Sequence, residues 1–282
     1  NDKQEGETYP FPELCGAATA WKLVCAVLAV SEEIRAKVPT GWEKWLLDMV
    51  GLATIADMMP LTGENRVLAK YGLRVLRKSP RLGLQKLCRL IRVKQSEITE
   101  DDVGFMIAPR INAASRMGDA YEAFKLFTTQ NEEEAEALAK KLDKANRERK
   151  AQAGAITRAV HTKLKERTSI PSVIALGDPL WRPALLGLVA NGIAEEYARP
   201  VFLWGREGNG AIKGSCRSDG VVHTLNLMNA AIDTFEQFGG HAQSGGFTVR
   251  NDAIFYLEDR LVSARERLAS AGDMVDEIYE VD

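Results

Sequence analysis

The stretch "NEEEAEALAKKLDKANRERKAQAGAITRAVHTKLKER", residues 131–167, sets the architecture. Apolar residues recur at Ala135, Leu138, Leu142 and Ala145, then at Ile156, Val160 and Leu164. That is helical spacing, interrupted only by the polar "NRERKAQ". Thr129 with Glu132 has the pattern of a capping box at its start. A helix of this length would run for roughly 55 Å at the usual rise per residue. Such a helix, polar in its middle, is expected to bridge two bodies rather than sit in one core.

Outward from this helix the sequence changes character. After Pro171 short β-branched runs alternate with helical patterns. "SVIAL", "VFLW", "GAIKGSCRS" and "GFTV" read as strands, and "PALLGLVANGIAEEYA", "TLNLMNAAIDTF" and the stretch 252–271 as helices. This predicts a small α/β domain with a mixed sheet. Before the long helix the chain reads as mostly helical. Residues 13–30 look like a buried helix lined with small residues, and residues 65–93 like two basic amphipathic helices separated by "KSPRLG". "ITEDDVGFMIAPRINAASRMGDA" reads as a loop, with Pro109 pushing Ala108 out of helix. The expected fold class is therefore α/β. A mostly helical part spans 1–128, a connecting helix 129–168 and a mixed-sheet domain 169–282.

Composition narrows the function. The 282 residues carry a formal net charge of −2, so the chain is not a uniformly basic coat for nucleic acid. No run of 18 uncharged apolar residues exists, and no membrane partner is expected. Cys15, Cys25, Cys88 and Cys216 lie far apart without CxxC pairs. Neither a zinc site nor a disulfide framework is implied, and a reducing, cytoplasmic setting fits. Charge is unevenly spread: between Arg66 and Lys94 stand ten Lys or Arg residues and no Asp or Glu. That run is either a solvated helical face or a track for a phosphate backbone.

Four segments carry candidate chemistry. Asp57 stands among Ile55, Ala56, Met58 and Met59, where a carboxylate must be paired, capped or bound to a metal if it is buried. In "APRINAASRMGDA", Arg110 and Arg116, with Asn112 between them, are placed to fork onto phosphate oxygens, or else to form surface ion pairs. "KGSCRSDG" offers Ser215, Arg217 and Ser218 between Gly214 and Gly220, either an oxyanion cup or a plain turn. "QFGGHAQSGGF", residues 237–247, frames His241 with Gly239, Gly240, Gly245 and Gly246. Glycines there would let backbone amides approach a phosphate while the imidazole donates to it. No HExxH, Walker A or DxD pattern is present, and the histidines never fall at metal-ligand spacing.

In this order, "ADMMPL", "PRINAASR", "NRER" in a long helix, "GLVANGIAEEYARPV", "GSCRS" and "GGHAQSGG" resemble the RecJ single-stranded-DNA exonucleases of the DHH phosphoesterase superfamily. The resemblance covers nearly the whole chain. It implies the second part of a DHH domain, joined by the long helix to a DHH-associated domain that binds nucleic acid. The function implied is that of part of a hydrolase, an exonuclease acting 5′ to 3′ on single-stranded DNA in repair and recombination, by metal-assisted phosphodiester hydrolysis. Two Mn²⁺ or Mg²⁺ ions are implied for the whole enzyme, with Asp57 matching a metal-ligand aspartate.

By the same resemblance Arg116 and His241 would act on the scissile phosphate. Ser215 and Arg217 would hold the 5′-terminal phosphate, with Arg110, Asn112, Gly239 and Gly240 as further substrate contacts. Single-stranded DNA is the implied partner, with single-strand-binding protein as a second. The family's DxD and DHH motifs are expected to precede residue 1, and its OB-fold to follow "IYEVD". The 282 residues alone are then expected to be inactive. Ala184 and Asn191–Gly192 depart from the family pattern. Two other readings stand beside it: a DHH-type phosphoesterase for short oligonucleotides or cyclic dinucleotides, and a non-catalytic nucleic-acid-binding module.

Overall fold

A computed structural model describes residue 4 and residues 6–271. The chain divides into two compact units, 1–147 and 148–282, and the division falls inside one unbroken helix.

The first unit is helical. α1 (Gly16–Val30), α2 (Glu32–Arg35), α3 (Leu47–Ala56) and α4 (Gly63–Leu76) are followed by α5 (Leu82–Ile91), α6 (Ala108–Met117) and α7 (Tyr121–Thr128). α3 and α4 cross at two glycines. A Cβ on Gly51 would lie 2.6 Å from the Gly72 Cα, and one on Gly72 would lie 2.4 Å from the Gly51 Cα. Only bare backbone lets two helices approach this closely. The turn before α5 is tied down by charge. Asp48 on α3 is buried and accepts from Ser79 Oγ at 2.7 Å and Arg81 Nε at 2.8 Å, while Arg81 Nη1 donates to the Phe127 carbonyl. A buried carboxylate is tolerable here because each of its oxygens has a donor.

Two expectations for this unit are corrected. α1 forms, but it is not a buried helix: Ala18 is its buried residue, and Leu23 and Val30 are exposed. Apolar residues fall all around α1, and its partners, α3, α2 and the turn at 42–46, leave part of that surface uncovered. The supposed loop at 98–119 is helical. A π-helical turn, Asp102–Ile107, runs straight into α6, and Ala108 is αR with φ −57° and ψ −39°. Pro109 occupies the first turn of α6, where its missing N–H costs nothing.

α8 (Glu132–Lys165) is the long helix read from the sequence, with a different cap. Asn131 Oδ1 accepts from Glu134 N at 2.9 Å, so Asn131 does the capping. The Thr129 hydroxyl instead accepts from Asn131 N and meets the Glu134 carboxylate.

In the second unit β1 (Ile174–Gly177), α9 (Pro183–Tyr197), β2 (Val201–Arg206) and β3 (Ile212–Arg217) precede α10 (Thr224–Ala230). β4 (Phe235–Gly240), β5 (Ser244–Val249) and α11 (Leu257–Ala271) complete it. The five strands form one sheet in the order β1-β2-β3-β5-β4; β1 and β2 are parallel and the other pairs antiparallel. Alternation divides the strands between two faces. Phe202, Cys216, Phe247 and Val249 point into a core with Leu227 and Met228 of α10 and Leu257 and Leu261 of α11. The opposite face of β2 and β3 is covered by α9. Beyond β3 that face is open, and its row Ser215, Gly246, Gly239 reaches the sheet edge.

Candidate nucleic-acid interface

The stretch expected to be a glycine–histidine loop is a β-hairpin. Gly239 and Gly240 end β4, Gly245 and Gly246 begin β5, and His241–Gln243 form the tip. The glycines have two different jobs. Gly240 has φ +149°, and a Cβ there would come within 2.3 Å of the Ser244 carbonyl oxygen, so the turn itself demands it. Gly245 is pressed against the Gly239 carbonyl, the Met228 methyl and the Cys216 sulfur. Gly239 and Gly246 are unlike these. A Cβ on Gly239 would meet nothing within 4 Å, and one on Gly246 only the Gly214 carbonyl at 3.8 Å. No tight contact requires glycine at these two positions, and its effect is to leave backbone uncovered on the open face.

The hairpin tip is pinned from below. Thr224 is buried and donates through Oγ1 to the His241 carbonyl (2.7 Å) and through N to the Ala242 carbonyl (2.8 Å); Ser218 N donates to the Gln243 carbonyl. The His241 ring is held by its own turn. Nδ1 accepts from Gln243 N at 3.3 Å, and Nε2 lies 2.8 Å from Ser244 Oγ. With Nδ1 accepting, the neutral ring carries its proton on Nε2 and donates it to Ser244, a tautomer assigned from this network. The Ser244 hydroxyl hydrogen is then directed away from the imidazole.

Arg217 and Ser244 are cross-strand neighbours, and Ser215 lies two residues before Arg217 on the same face. Arg217 Nη1 donates to the Cys216 carbonyl at 2.8 Å. A cavity of about 400 Å³ is lined here by Asn191, Glu195, Arg217, Asp219, His241 and Ser244, among others. The carboxylate of Asp219 is already neutralised, because Arg265 lies 3.0 Å away and the Val221 and Val222 amides donate to it. Glu195 at the rim accepts from Asn191 Nδ2. The Ser218 hydroxyl donates to the Val222 carbonyl, so it builds the turn rather than an anion cup. Burial pushes the Cys216 thiol up to about 12, against the opposing pull of Arg217. It is therefore a packing residue and not a nucleophile.

One contributor is not among the candidate site residues, although it opens the segment "GLVANGIAEEYARPV". Gly187 on α9 is buried against the Arg217 guanidinium, and a Cβ there would lie 2.8 Å from Nη2. A glycine inside a helix costs up to about 1 kcal/mol relative to alanine. Gly187→Ala is therefore expected to leave thermal stability unchanged or slightly raised while displacing Arg217. Thermal unfolding beside a binding titration with 5′-phosphorylated oligonucleotide checks this; a variant that binds normally would show that Gly187 merely packs.

The remaining candidates lie in the first unit. Asp57 is the C-cap of α3 and is exposed, not buried. Met58 follows it with φ +53°, and Met59 N and Met58 N donate back to the Thr54 and Ile55 carbonyls. This Schellman arrangement usually has glycine where Met58 stands. α6 separates the two arginines that a loop would have brought together. Arg110 is largely buried, donating to Asp143 Oδ1 at 2.9 Å and to the Met106 carbonyl. Arg116 falls one helical turn after Asn112, on another side of α6. Among the described residues no group of three or more His, Cys, Asp or Glu could hold a metal ion.

A DHHA1 domain model matches residues 170–277, the sheet-bearing part of the chain. The single-stranded-DNA-specific exonuclease RecJ of Bacillus subtilis is 33% identical over 99% of this chain, which spans 34% of that protein. RecJ of Thermus thermophilus, solved with Mg²⁺, superposes with TM-score 0.76 at 32% identity, over 89% of this chain and 38% of that one. An exonuclease RecJ bound to manganese superposes with TM-score 0.76 at 31% identity, over 97% of this chain and 65% of that one. Over its own length the chain is thus similar to the RecJ single-stranded-DNA-specific exonucleases, of whose Bacillus subtilis member it spans 34%.

Proposed function

We propose that this chain is the strand-holding portion of an exonuclease that degrades single-stranded DNA from its 5′ end. The observation that carries the reading is the grouping of Arg217, Ser215, Ser244 and His241 on one glycine-floored face of the sheet. A guanidinium and two hydroxyls suit a terminal phosphate. Bare backbone at Gly239 and Gly246 lets a sugar–phosphate chain lie close. In the whole enzyme His241 acts on the scissile phosphate, and its Nε2–H, which meets Ser244 here, donates a hydrogen bond to a phosphate oxygen as charge builds. Arg116, with Asn112 one turn before it, contacts a phosphate of the strand from the first unit, and Arg110 positions α6.

The reaction is metal-assisted hydrolysis, with Mn²⁺ or Mg²⁺ held in part by Asp57. An ion of this kind normally needs several oxygen ligands. Asp57 is one carboxylate, so the described residues do not complete a metal centre. The contribution of this chain is to bind and orient the strand. DNA repair and recombination in the cytoplasm, alongside single-strand-binding protein, is the setting we propose for the whole enzyme.

The test is equilibrium binding of a labelled oligothymidylate to the 282-residue chain. A 5′-phosphorylated strand should bind more tightly than the same strand with a 5′-hydroxyl. Equal affinities would remove the phosphate cup from the reading.

A further inference from the structure

The ten cations between Arg66 and Lys94 are not equivalent in the fold. Four are used inside the first unit. Arg77 donates to the Ile98 carbonyl, Arg81 pairs with buried Asp48, Lys86 pairs with Glu132 and Lys94 with Glu97. A second group stands on α4. Arg66, Lys70 and Arg74 are spaced one turn apart and are all exposed. Beside them Val67 and Tyr71 are 54% and 47% exposed, and the Arg74 guanidinium lies 5.1 Å from the centre of the Tyr71 ring. The other side of α4, with Leu68, Ala69, Gly72 and Leu76, is buried. The one carboxylate of α4, Glu64, is taken by Lys22 and by the Tyr9 hydroxyl, so it does not offset the stripe.

From these observations we infer that the exposed stripe Arg66, Lys70, Tyr71 and Arg74 of α4 is a second binding surface for single-stranded nucleic acid, made of none of the residues of the Arg217–His241 face. One cation per turn gives steps of about 6 Å along the helix. That suits successive phosphates of an extended strand. Tyr71 adds an aromatic platform on which a base can stack without sequence preference, with Arg74 over its ring. An acidic protein partner would match the charge but has no evident use for that platform. The inference rests on the proposed function for its ligand, though on none of the same residues.

The experiment titrates the 282-residue chain with a labelled oligothymidylate of about 20 nucleotides, 5′-hydroxylated, at several salt concentrations. The variant Arg66→Gln/Lys70→Gln/Arg74→Gln removes three phosphate contacts. Its plot of log affinity against log salt should be less steep by about 2, since each contact on a single strand contributes about 0.7. Tyr71→Leu should weaken binding about tenfold and leave the slope unchanged. Circular dichroism and thermal midpoints confirm that both variants are folded; Lys70→Glu alone serves as a milder second probe.

An unchanged slope and affinity in the triple variant overturns the inference. So does binding of an oligoglutamate peptide that the triple variant loses while its DNA binding persists. The ratio of affinities for 5′-phosphorylated and 5′-hydroxylated strands should stay as in the unaltered chain. Loss of that ratio in Arg217→Ala alone, with the α4 variants binding normally, would sink the stripe and spare the proposed function. No DNA binding by the unaltered chain would sink both.

Discussion

Arg217→Ala is expected to weaken binding of a 5′-phosphorylated single strand by one to two orders of magnitude. Strands with a 5′-hydroxyl should change little. The magnitude follows from a charge-assisted hydrogen bond of roughly 1.5–3 kcal/mol, at about 1.4 kcal/mol per tenfold in affinity. The fold should survive, because the guanidinium lies at the rim of a cavity and the core beneath it is made by Phe202, Cys216 and Phe247. The measurement is a pair of titrations, one for each kind of end. Equal weakening of both ends would mean that Arg217 serves general charge rather than a terminal phosphate. His241→Ala provides the contrast. A group that meets charge developing in the transition state should alter turnover in the whole enzyme far more than strand affinity.

The second large effect concerns folding. Gly83 opens α5, and a Cβ there would lie 1.8 Å from the Leu126 carbonyl oxygen and 2.6 Å from the Leu126 carbonyl carbon. Both obstacles are backbone of α7, so neither can turn aside as a flexible side chain would. Gly83→Ala must push α5 from α7 across the layer that holds Leu84, Leu87 and Leu126. Overpacking typically costs 1–3 kcal/mol, and an overlap this deep should cost about 3 kcal/mol or more. Chemical denaturation should show the midpoint of the first unit falling well below that of the unaltered chain. Gly154→Ala on α8 is the matched control. A Cβ there would sit 3.5 Å from the Arg158 Nη1, an ordinary contact, and the change should be neutral or stabilising by up to about 1 kcal/mol. If both variants unfold alike, packing at the α5–α7 contact is not what Gly83 provides.

Much of this structure is legible in the chain, and the parts that are not share a physical cause. α8 is legible because a 3.6-residue period is a local property repeated many times. Its cap is not, because Thr129 and Asn131 both have side chains suited to the task, and only geometry chooses Asn131. The strands of the second unit are legible from β-branched runs after Pro171. The hairpin is not, because four glycines remove the side-chain alternation by which a strand announces itself. Cross-strand pairing of Gly239 with Gly246 and Gly240 with Gly245 replaces it.

α6 reads as a loop because Pro109 usually ends a helix, whereas here it starts one after a π-helical turn. The motifs holding Arg217 and His241 stand out as neighbours in one domain, and the register of β3 with β5 puts them beside one cavity. Gly187 opens the segment "GLVANGIAEEYARPV", but its contact with Arg217 does not show there. Its role depends on a residue thirty positions later folding back against it, and no local pattern encodes that. The same holds for Asp48 and Arg81, whose pairing spans three helical elements.

The bare row at Gly239 and Gly246 has a consequence for how the open face could be adjusted. At most positions in a sheet, glycine and the fold are entangled, and a new methyl group tests both at once. Here the fold leaves space above each residue, so atoms can be added one by one without disturbing what lies below. Alanine, serine and valine at either position would raise the surface in graded increments, like shims under a workpiece. Clearance then becomes an independent variable. The thickness of whatever rests on the sheet could be gauged from the increment at which it no longer fits.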